Sequence, residues 1–328
     1  MAVFDCSFDP HPTFYIYTMY IIGMIVLPFN MFGTYCVVKK TPAHLADYKR
    51  TLLYYQLCVS ISDFFIAFVF TPVLFVPFPI HYSAGITSLF SFEPIICLVG
   101  CMFCLLQSFS ATLHLFHYRL MVILPPNSIF RWQRPTTFCF RVFSSVLVVS
   151  PIVIIPITYQ HTDLTVYGAT IRQQYQCVDH VMSHSRARVS DPSLNRLVHL
   201  YIGGMGVTLW FVSACMAFTT YWIMRRMKAI SEKTHHLQQK FQLVLMIQAV
   251  FPIIVIGIPG WIMIGLYATD RFAPQWLGLL FMLSLSIHGF VGNVIMVLFN
   301  SDYYRFAKKS LSSLTKWKIN DSSSNNSE

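Results

Sequence analysis

Residues 15–40 read YIYTMYIIGMIVLPFNMFGTYCVVKK, an uncharged and largely apolar run that ends at the pair Lys39 and Lys40. A bilayer core about 30 Å thick is crossed by about 20 apolar residues in an α-helix. This run is therefore long enough to span a membrane, and similar runs recur along the 328 residues. The sequence predicts seven spans, at Tyr15–Val38, Leu52–Pro77, Pro94–Tyr118, Thr136–Tyr159, Leu197–Met224, Phe241–Tyr267 and Trp276–Asn300.

Basic residues concentrate in every second gap between these spans. The segment 1–14 and the gap 78–93 contain no Lys or Arg, whereas Lys39, Lys40, Lys49 and Arg50 follow the first span. Because basic residues accumulate on the cytoplasmic side of short loops, we predict that the amino terminus lies outside the cell and the carboxyl terminus inside. Arginines in the region 172–196 fall on the predicted outer side, in a loop long enough to weaken this rule locally.

The composition describes a chain that is nearly all membrane bundle, since 55% of the residues are hydrophobic and only 11% are charged. We predict an all-α, polytopic seven-helix bundle over residues 15–300, an extracellular segment 1–14 and a cytoplasmic tail 301–328. Ser301 and Asp302 are placed to cap a short amphipathic helix in that tail. The net charge of +10 reflects basic loops that face anionic lipid, which excludes nucleic acid as a partner.

Asp63 is the only acidic residue well inside a predicted span. A carboxylate in a bilayer is costly, so its side chain should face the bundle interior, paired or protonated. Asn30 and Asn293 lie in spans one and seven within reach of Asp63, and His288 lies at a comparable depth. These four residues form a candidate conformational switch cluster. The alternative is a set of hydrogen-bonded packing residues that tie the spans together, and the sequence leaves both readings open.

Three of the nine cysteines, Cys6, Cys97 and Cys177, lie toward the predicted outer side, where disulfides form. A Cys97–Cys177 bridge would pin the long outer loop over the bundle, and Cys6–Cys177 is the rival pairing. We favour Cys97–Cys177, although connectivity cannot be deduced from sequence.

No pattern in the chain indicates catalysis or a bound cofactor. The chain has no His-Glu-x-x-His helix, no Gly-rich phosphate loop and no second intramembrane carboxylate that could partner Asp63. Cys97, Cys101 and Cys104 have helical spacing but no carboxylate or His cluster at that depth, which argues against a metal site. We therefore expect neither an enzyme nor a cofactor.

Several short motifs follow one another along the chain. They are PFNMFGTYC at 28–36, Lys40-Thr41-Pro42, LLYYQ at 52–56, Ser62-Asp63, Pro72, Pro77, Ala84-Gly85, His288-Gly289, Asn293 and Tyr304-Arg305. In order and spacing these motifs resemble the nematode serpentine chemoreceptors of the Str superfamily. Tyr35-Cys36 and Lys40-Thr41-Pro42 are most similar to class H (Srh), whereas Tyr54-Tyr55-Gln56 leans toward the related class I (Sri). We choose class H.

The resemblance implies a G-protein-coupled receptor for chemosensation in the plasma membrane of chemosensory neurons. Its partners would be a small-molecule ligand from outside, a heterotrimeric G protein inside and the membrane lipid. Arg119, Arg225, Arg226 and Lys233 are then candidate G-protein-facing residues on the inner surface. Insertion topology alone also explains each of these charges.

The chain departs from the rhodopsin-like pattern at two positions. His117-Tyr118-Arg119 stands where an acidic residue, Arg and Tyr would be expected, so Arg119 has no adjacent acid. Asn293-Val294-Ile295-Met296 lacks the Pro and Tyr of the usual seventh-span motif. An ionic lock at Arg119 is therefore doubtful, and a lipid-facing cation at the interface is the alternative.

Two other seven-span classes compete with the receptor interpretation. A ligand-gated channel that resembles insect odorant receptors would have its amino terminus inside, which the charge distribution opposes and which tags on each terminus would decide. A retinal protein would resemble those that carry a Schiff-base Lys in the last span, yet Trp276–Asn300 contains none.

Overall fold

A computed structural model describes most of the chain. The described residues are 8–41, 46–76, 78, 80–90, 94–125, 128, 131–160, 168–169, 171–173, 178–183, 187–189, 192–226, 243, 246–247, 250–269, 274–300, 302–310 and 312.

The described chain is a bundle of long helices. Five of them are α1 (Thr13–Lys40), α2 (Ala46–Phe64), α3 (Pro94–Ile123), α4 (Arg134–Gln160) and α5 (Pro192–Arg226). Helix α6 covers residues 250–268 and contains a π-helical segment, Ile253–Gly257, before the regular helix Ile258–Ala268. Helix α7 runs over Gln275–Phe299, and residues 302–310 form a tail helix.

The predicted multi-span helical bundle is confirmed. Within the described residues, six helices are long and apolar enough to cross a membrane, and Val250–Leu266 is a shorter seventh apolar helix. The predicted sixth span begins at Phe241, and most of the residues before Val250 in that span lie outside the described ones. Which side of the bundle faces the cell exterior stays a prediction. We therefore name its ends the amino-terminal face, next to Phe8, and the carboxyl-terminal face, next to the tail helix.

The second span ends earlier than predicted. The sequence places its end at Pro77, but helix α2 continues only through a π-helical turn, Phe65–Phe70. Thr71 then adopts a left-handed conformation with φ of 42°, and its hydroxyl donates a hydrogen bond of 2.8 Å to the carbonyl of Ala67. The apolar residues that follow enter a small sheet, which an all-α prediction did not contain.

This sheet has three strands in the order β1 (Pro72–Phe75), β2 (Ile80–Ser83) and β3 (Arg188–Val189). All pairs are antiparallel, with Val73 opposite Tyr82 and Ile80 opposite Val189. A short apolar run cannot be assigned to strand or helix from its composition, which is why strand β1 was assigned to the end of the second span.

The amino-terminal segment packs over the sheet. The ring of Phe8 contacts Phe75 and Phe78 edge to face, with centroids 5.8 and 5.9 Å away. The Tyr82 hydroxyl donates a 2.8 Å hydrogen bond to the carbonyl of Pro10, and His180 contacts the carbonyl of Phe8 at 2.8 Å. Sheet and segment together cover the amino-terminal face above α3 and α7.

The tail helix packs on α1 at the carboxyl-terminal face. Asn300 lies at its start, and the Asn300 Oδ1 atom accepts from the backbone N–H groups of Asp302 and Tyr303 at 3.1 and 3.4 Å. Ser301, one of the two predicted capping residues, lies outside the described residues. The buried Tyr303 hydroxyl lies 2.7 Å from Thr41 Oγ1. Since Thr41 donates its own proton to the carbonyl of Val37, Tyr303 is the donor in this pair.

Candidate functional site

The structure brings the four side chains of the predicted switch cluster together. Asp63 of α2 is 1% exposed, and its Oδ2 atom accepts a 2.9 Å hydrogen bond from Asn30 Nδ2 of α1. Asn293 Nδ2 of α7 donates to Asn30 Oδ1 at 2.5 Å. His288 Nδ1 of α7 lies 3.3 Å from Asp63 Oδ1. Helices α1, α2 and α7 are therefore linked through one buried carboxylate.

The orientation of His288 follows from a second contact. Its Nδ1 atom lies 2.6 Å from the carbonyl oxygen of Leu285, one turn earlier in α7. Because a carbonyl can only accept, Nδ1 must carry a proton. The imidazole thus presents an N–H group between the Leu285 carbonyl and the Asp63 carboxylate.

Two glycines allow the helices of this cluster to approach closely. A Cβ atom on Gly289 would overlap the carboxylate of Asp63 and the side chain of Val59. A Cβ atom on Gly33 would lie 2.5 Å from Asn293 Oδ1. Real Cβ atoms do not approach other heavy atoms so closely, so both positions require glycine, which has no Cβ atom.

A small cavity of about 20 Å³ adjoins the cluster. Its polar wall comes from Tyr55, Ser108, Thr112 and His288. A volume of this size holds about one water molecule, and the site offers the polar partners that such a water needs.

A much larger cavity of about 550 Å³ lies between this cluster and the sheet. It is bounded by the hairpin and by α3, α5, α6 and α7, and most of its wall is aliphatic or aromatic. Among the described residues that line it, His81 and Cys101 are the only titratable ones. Small-molecule sites are concave, mostly apolar and roughly 300–1,000 Å³ in volume. This cavity has those properties.

Three residues border both cavities. They are Phe109 of α3, Trp210 of α5 and Pro252 of α6. A molecule in the large cavity therefore lies one layer of side chains away from the space beside His288. We call these three residues the shared wall.

At the carboxyl-terminal face Arg119 points into the bundle. Its guanidinium carbon lies 4.0 Å from the centroid of the Tyr48 ring, and Tyr48 is buried. This contact of the half-buried Arg119 with a buried aromatic ring favours a position against the bundle over the lipid-facing alternative.

The other predicted G-protein-facing residues lie at the end of α5 or beyond it. Arg225 and Arg226 are exposed, with their guanidinium carbons 4.9 and 3.6 Å from the ring centroids of Tyr221 and Trp222. Lys233 lies outside the described residues.

The Cys97–Cys177 bridge stays a prediction. Cys97 has a buried free thiol, and Cys177 lies outside the described residues, as does Cys6 of the rival pairing.

One buried cluster between α3 and α4 escaped the sequence analysis. His114 Nε2 lies 2.6 Å from Ser144 Oγ, and His117, only 1% exposed, packs its ring 4.8 Å from Phe140 and 5.0 Å from Trp132. The signal was the spacing of three residues between the two histidines, which places both on one face of a helix.

Comparison with known proteins adds a family context to this geometry. A family model described as "Serpentine type 7TM GPCR chemoreceptor Srh" matches residues 10–313. The chain is also similar to "Serpentine receptor class H-72" of Caenorhabditis elegans, with 22% identity over 326 residues that cover 94% of this chain and 90% of that protein.

Proposed function

Because the chain belongs to the Srh family of serpentine seven-transmembrane chemoreceptors, we propose that it binds a small ligand in the large cavity and activates a heterotrimeric G protein. In this proposal the amino-terminal face lies outside the cell and the carboxyl-terminal face inside, as the distribution of basic residues predicts. The shared wall of Phe109, Trp210 and Pro252 is the observation that carries the proposal, because it connects a ligand-sized space to the buried polar cluster.

A ligand shifts a receptor only through different affinities for two conformers. A molecule that packs on the shared wall can supply that difference, because displacement of Trp210 or Phe109 changes the space beside His288. In one conformer the Asp63 carboxylate links α7 to α1 and α2, and in the other conformer α7 is released from this link. We propose this role for Asn30, Asp63, His288 and Asn293.

Helix α6 has two prolines and a π-helical segment where it borders both cavities. Pro252 lacks a backbone N–H group, and the next five residues, Ile253–Gly257, form a π-helix. Pro259 removes a second N–H group shortly afterwards. Prolines and π-helical segments are the usual causes of helix kinks, so α6 can transmit a small displacement of the shared wall along its length.

The carboxyl-terminal face would receive the G protein. Arg225 and Arg226 are exposed there at the end of α5, and Arg119 lies at the end of α3. Positive charge on this surface would also contact anionic lipid of the cytoplasmic leaflet. In the proposal Lys233 belongs to the same surface.

A functional screen tests the proposal directly. Cells that express the full chain are exposed to a panel of small odorants and excreted metabolites, and G-protein activation is recorded against vector-transfected cells. Tags on Met1 and Glu328 are read on intact cells in parallel. A ligand-dependent response with an outside amino terminus is expected. A ligand-gated current without G-protein activation, from a chain with an inside amino terminus, would replace the proposal by a channel.

The contact between Arg119 and Tyr48 gives a second prediction. A cation over an aromatic ring stabilises by about 0.5–2 kcal/mol, and phenylalanine retains the ring face while leucine retains only apolar volume. We expect Tyr48→Phe to keep most of the G-protein activation, although it loses the hydroxyl that also hydrogen-bonds Arg119. Tyr48→Leu should reduce activation several-fold at matched surface expression, because Arg119 loses its position. Equal activation by the two variants would show that Arg119 needs no aromatic partner.

A further inference from the structure

We propose that the large cavity takes an uncharged, lipophilic molecule that enters from the bilayer through an opening between α5 and α6. The inference rests on the proposed function, because it specifies the ligand class and the entry route of that same cavity. It is carried by the chemistry of the cavity wall and by the exposure of the residues around its rim.

The wall selects against charge. Among the described lining residues there is no Asp, Glu, Lys or Arg, and the sheet and four helices contribute mainly aliphatic and aromatic side chains. An ion that leaves water for such a surface loses its hydration and finds no countercharge, whereas an apolar chain gains by burial. His81 is the one lining residue that could favour an anion, so the test below includes a carboxylate.

The amino-terminal face does not offer an easy entrance. Among the described hairpin residues that line the cavity, Leu74 is half-buried and the other five are buried, namely Pro72, Val76, Phe78, Ile80 and His81. Above them Phe8 packs its ring on Phe78, and Tyr82 is hydrogen-bonded to Pro10. A ligand that came from the water above would have to displace this layer.

The side of the bundle is different. Leu200 and Val207 of α5 line the cavity and are also 44% and 37% exposed. Ile258, Trp261 and Ile262 of α6 likewise line it and are 53%, 51% and 46% exposed. The same side chains thus border both the cavity and the outer surface of two membrane helices. That surface faces hydrocarbon, so a molecule dissolved in the bilayer reaches the cavity without crossing the sheet.

Two neighbouring glycines of α5 provide a matched pair of variants. A Cβ atom on Gly206, which lines the cavity, would lie 3.5 Å from the ring of Phe109, an ordinary contact. A Cβ atom on Gly204 would meet no heavy atom within 4 Å, and Gly204 is exposed. Leucine at position 206 therefore takes space from the cavity, while leucine at position 204 extends outward from the same helix.

The first experiment measures equilibrium binding. The purified full chain is placed in nanodiscs of uncharged lipid with 1-aminoanthracene as a fluorescent probe, and empty nanodiscs give the background. The competitors share one chain length: 1-decanol, 2-decanone, decanoate and decylammonium. The alcohol and the ketone should displace the probe at concentrations in the bilayer at least tenfold lower than the two ions. Gly206→Leu should weaken probe binding at least tenfold, and Gly204→Leu by less than twofold.

Displacement by decanoate or decylammonium as effective as by 1-decanol would overturn the ligand class. An equal loss of binding in the two glycine variants would overturn the site. No G protein is present in this binding assay, so its outcome does not depend on whether cells show a G-protein response. Failure of the proposed ligand class and failure of the proposed G-protein coupling are therefore distinguishable.

The second experiment tests the entry route by stopped-flow kinetics with the same probe. Val207→Trp and Leu200→Trp each place a large ring at the rim, and Thr208→Trp places one on the exposed neighbouring position as a control. Association and dissociation rate constants should both fall at least fivefold in the two rim variants, so that Kd changes by a smaller factor than either rate. Unchanged rates in both rim variants, or an equal slowing by Thr208→Trp, would exclude entry between α5 and α6.

Discussion

Addition of one methyl group at Gly289 is expected to destabilise the receptor by about 3 kcal/mol. The new Cβ atom would overlap the carboxylate of Asp63 and the side chain of Val59, and neither neighbour can retreat. Asp63 is held by Asn30 on one side and lies against His288 on the other, in a buried site. Helix α7 must therefore move away from α2, which separates the buried carboxyl group of Asp63 from its partners.

The measurement is the thermal unfolding of the purified receptor in detergent, with surface expression as a second readout. Gly289→Ala should lower Tm by roughly 5 °C or more and reduce surface expression. Gly265→Ala is the control, since a Cβ atom at that helical position meets no heavy atom within 4 Å. There alanine should be neutral or slightly stabilising, because glycine inside a helix costs roughly 0.5–1 kcal/mol relative to alanine. Equal Tm values for the two variants would mean that α2 and α7 are not packed this closely.

Replacement of Asp63 should separate a signalling role from a packing role. Asn has the shape of Asp but carries one oxygen and one amide group. If its oxygen accepts from Asn30, its amide faces the N–H group of His288, donor against donor, since His288 Nδ1 already serves the Leu285 carbonyl. The link from α1 to α2 is retained, and the contact from α2 to α7 is weakened.

We expect Asp63→Asn to reach the surface within about twofold of the wild-type level and to lose ligand-stimulated G-protein activation at least tenfold, which corresponds to about 1.4 kcal/mol. Asp63→Leu leaves the buried Asn30 amide without its acceptor, at roughly 1–3 kcal/mol, and also removes the contact with His288, so this variant should not reach the surface. Ser62→Ala is the control, because the buried Ser62 hydroxyl has no hydrogen-bond partner in the described part of the chain. Loss of surface expression in Asp63→Asn would assign Asp63 to packing instead.

The buried polar cluster shows how far sequence reasoning reaches. The free-energy cost of a carboxylate in a bilayer is large enough to predict that Asp63 faces inward, whatever the details of the fold. The depth of Asn30 and Asn293 in their spans made them candidate partners. The close approach of α1, α2 and α7 depends on Gly33 and Gly289. A glycine in a predicted span has many possible causes, so the sequence alone does not predict a helix contact from it.

The hairpin could not be predicted from the sequence for a different reason. Val73, Phe75 and Ile80 of the hairpin are apolar and buried. The part of it that the sequence analysis assigned to the second span has the apolar composition that a lipid-facing helix also requires. Hydropathy reports that a segment avoids water but not what covers it. The left-handed conformation of Thr71, at which the helix ends, is not predictable from the sequence either, because threonine is rarely found in that conformation.

From the sequence alone follow the membrane location, the number of apolar spans, the family and the inward direction of Asp63. The membrane location, the spans and the direction of Asp63 depend on the transfer of apolar or charged groups between water and hydrocarbon, which acts on single segments or residues. The family follows instead from the resemblance of short motifs in their order and spacing. Only the tertiary structure decided the contact of Arg119 with Tyr48, the two cavities and the wall between them, and the exposed residues of α5 and α6 that also line the larger cavity. These features arise where side chains distant in sequence meet at van der Waals distance, and packing of that kind depends on the shapes of all the partners at once.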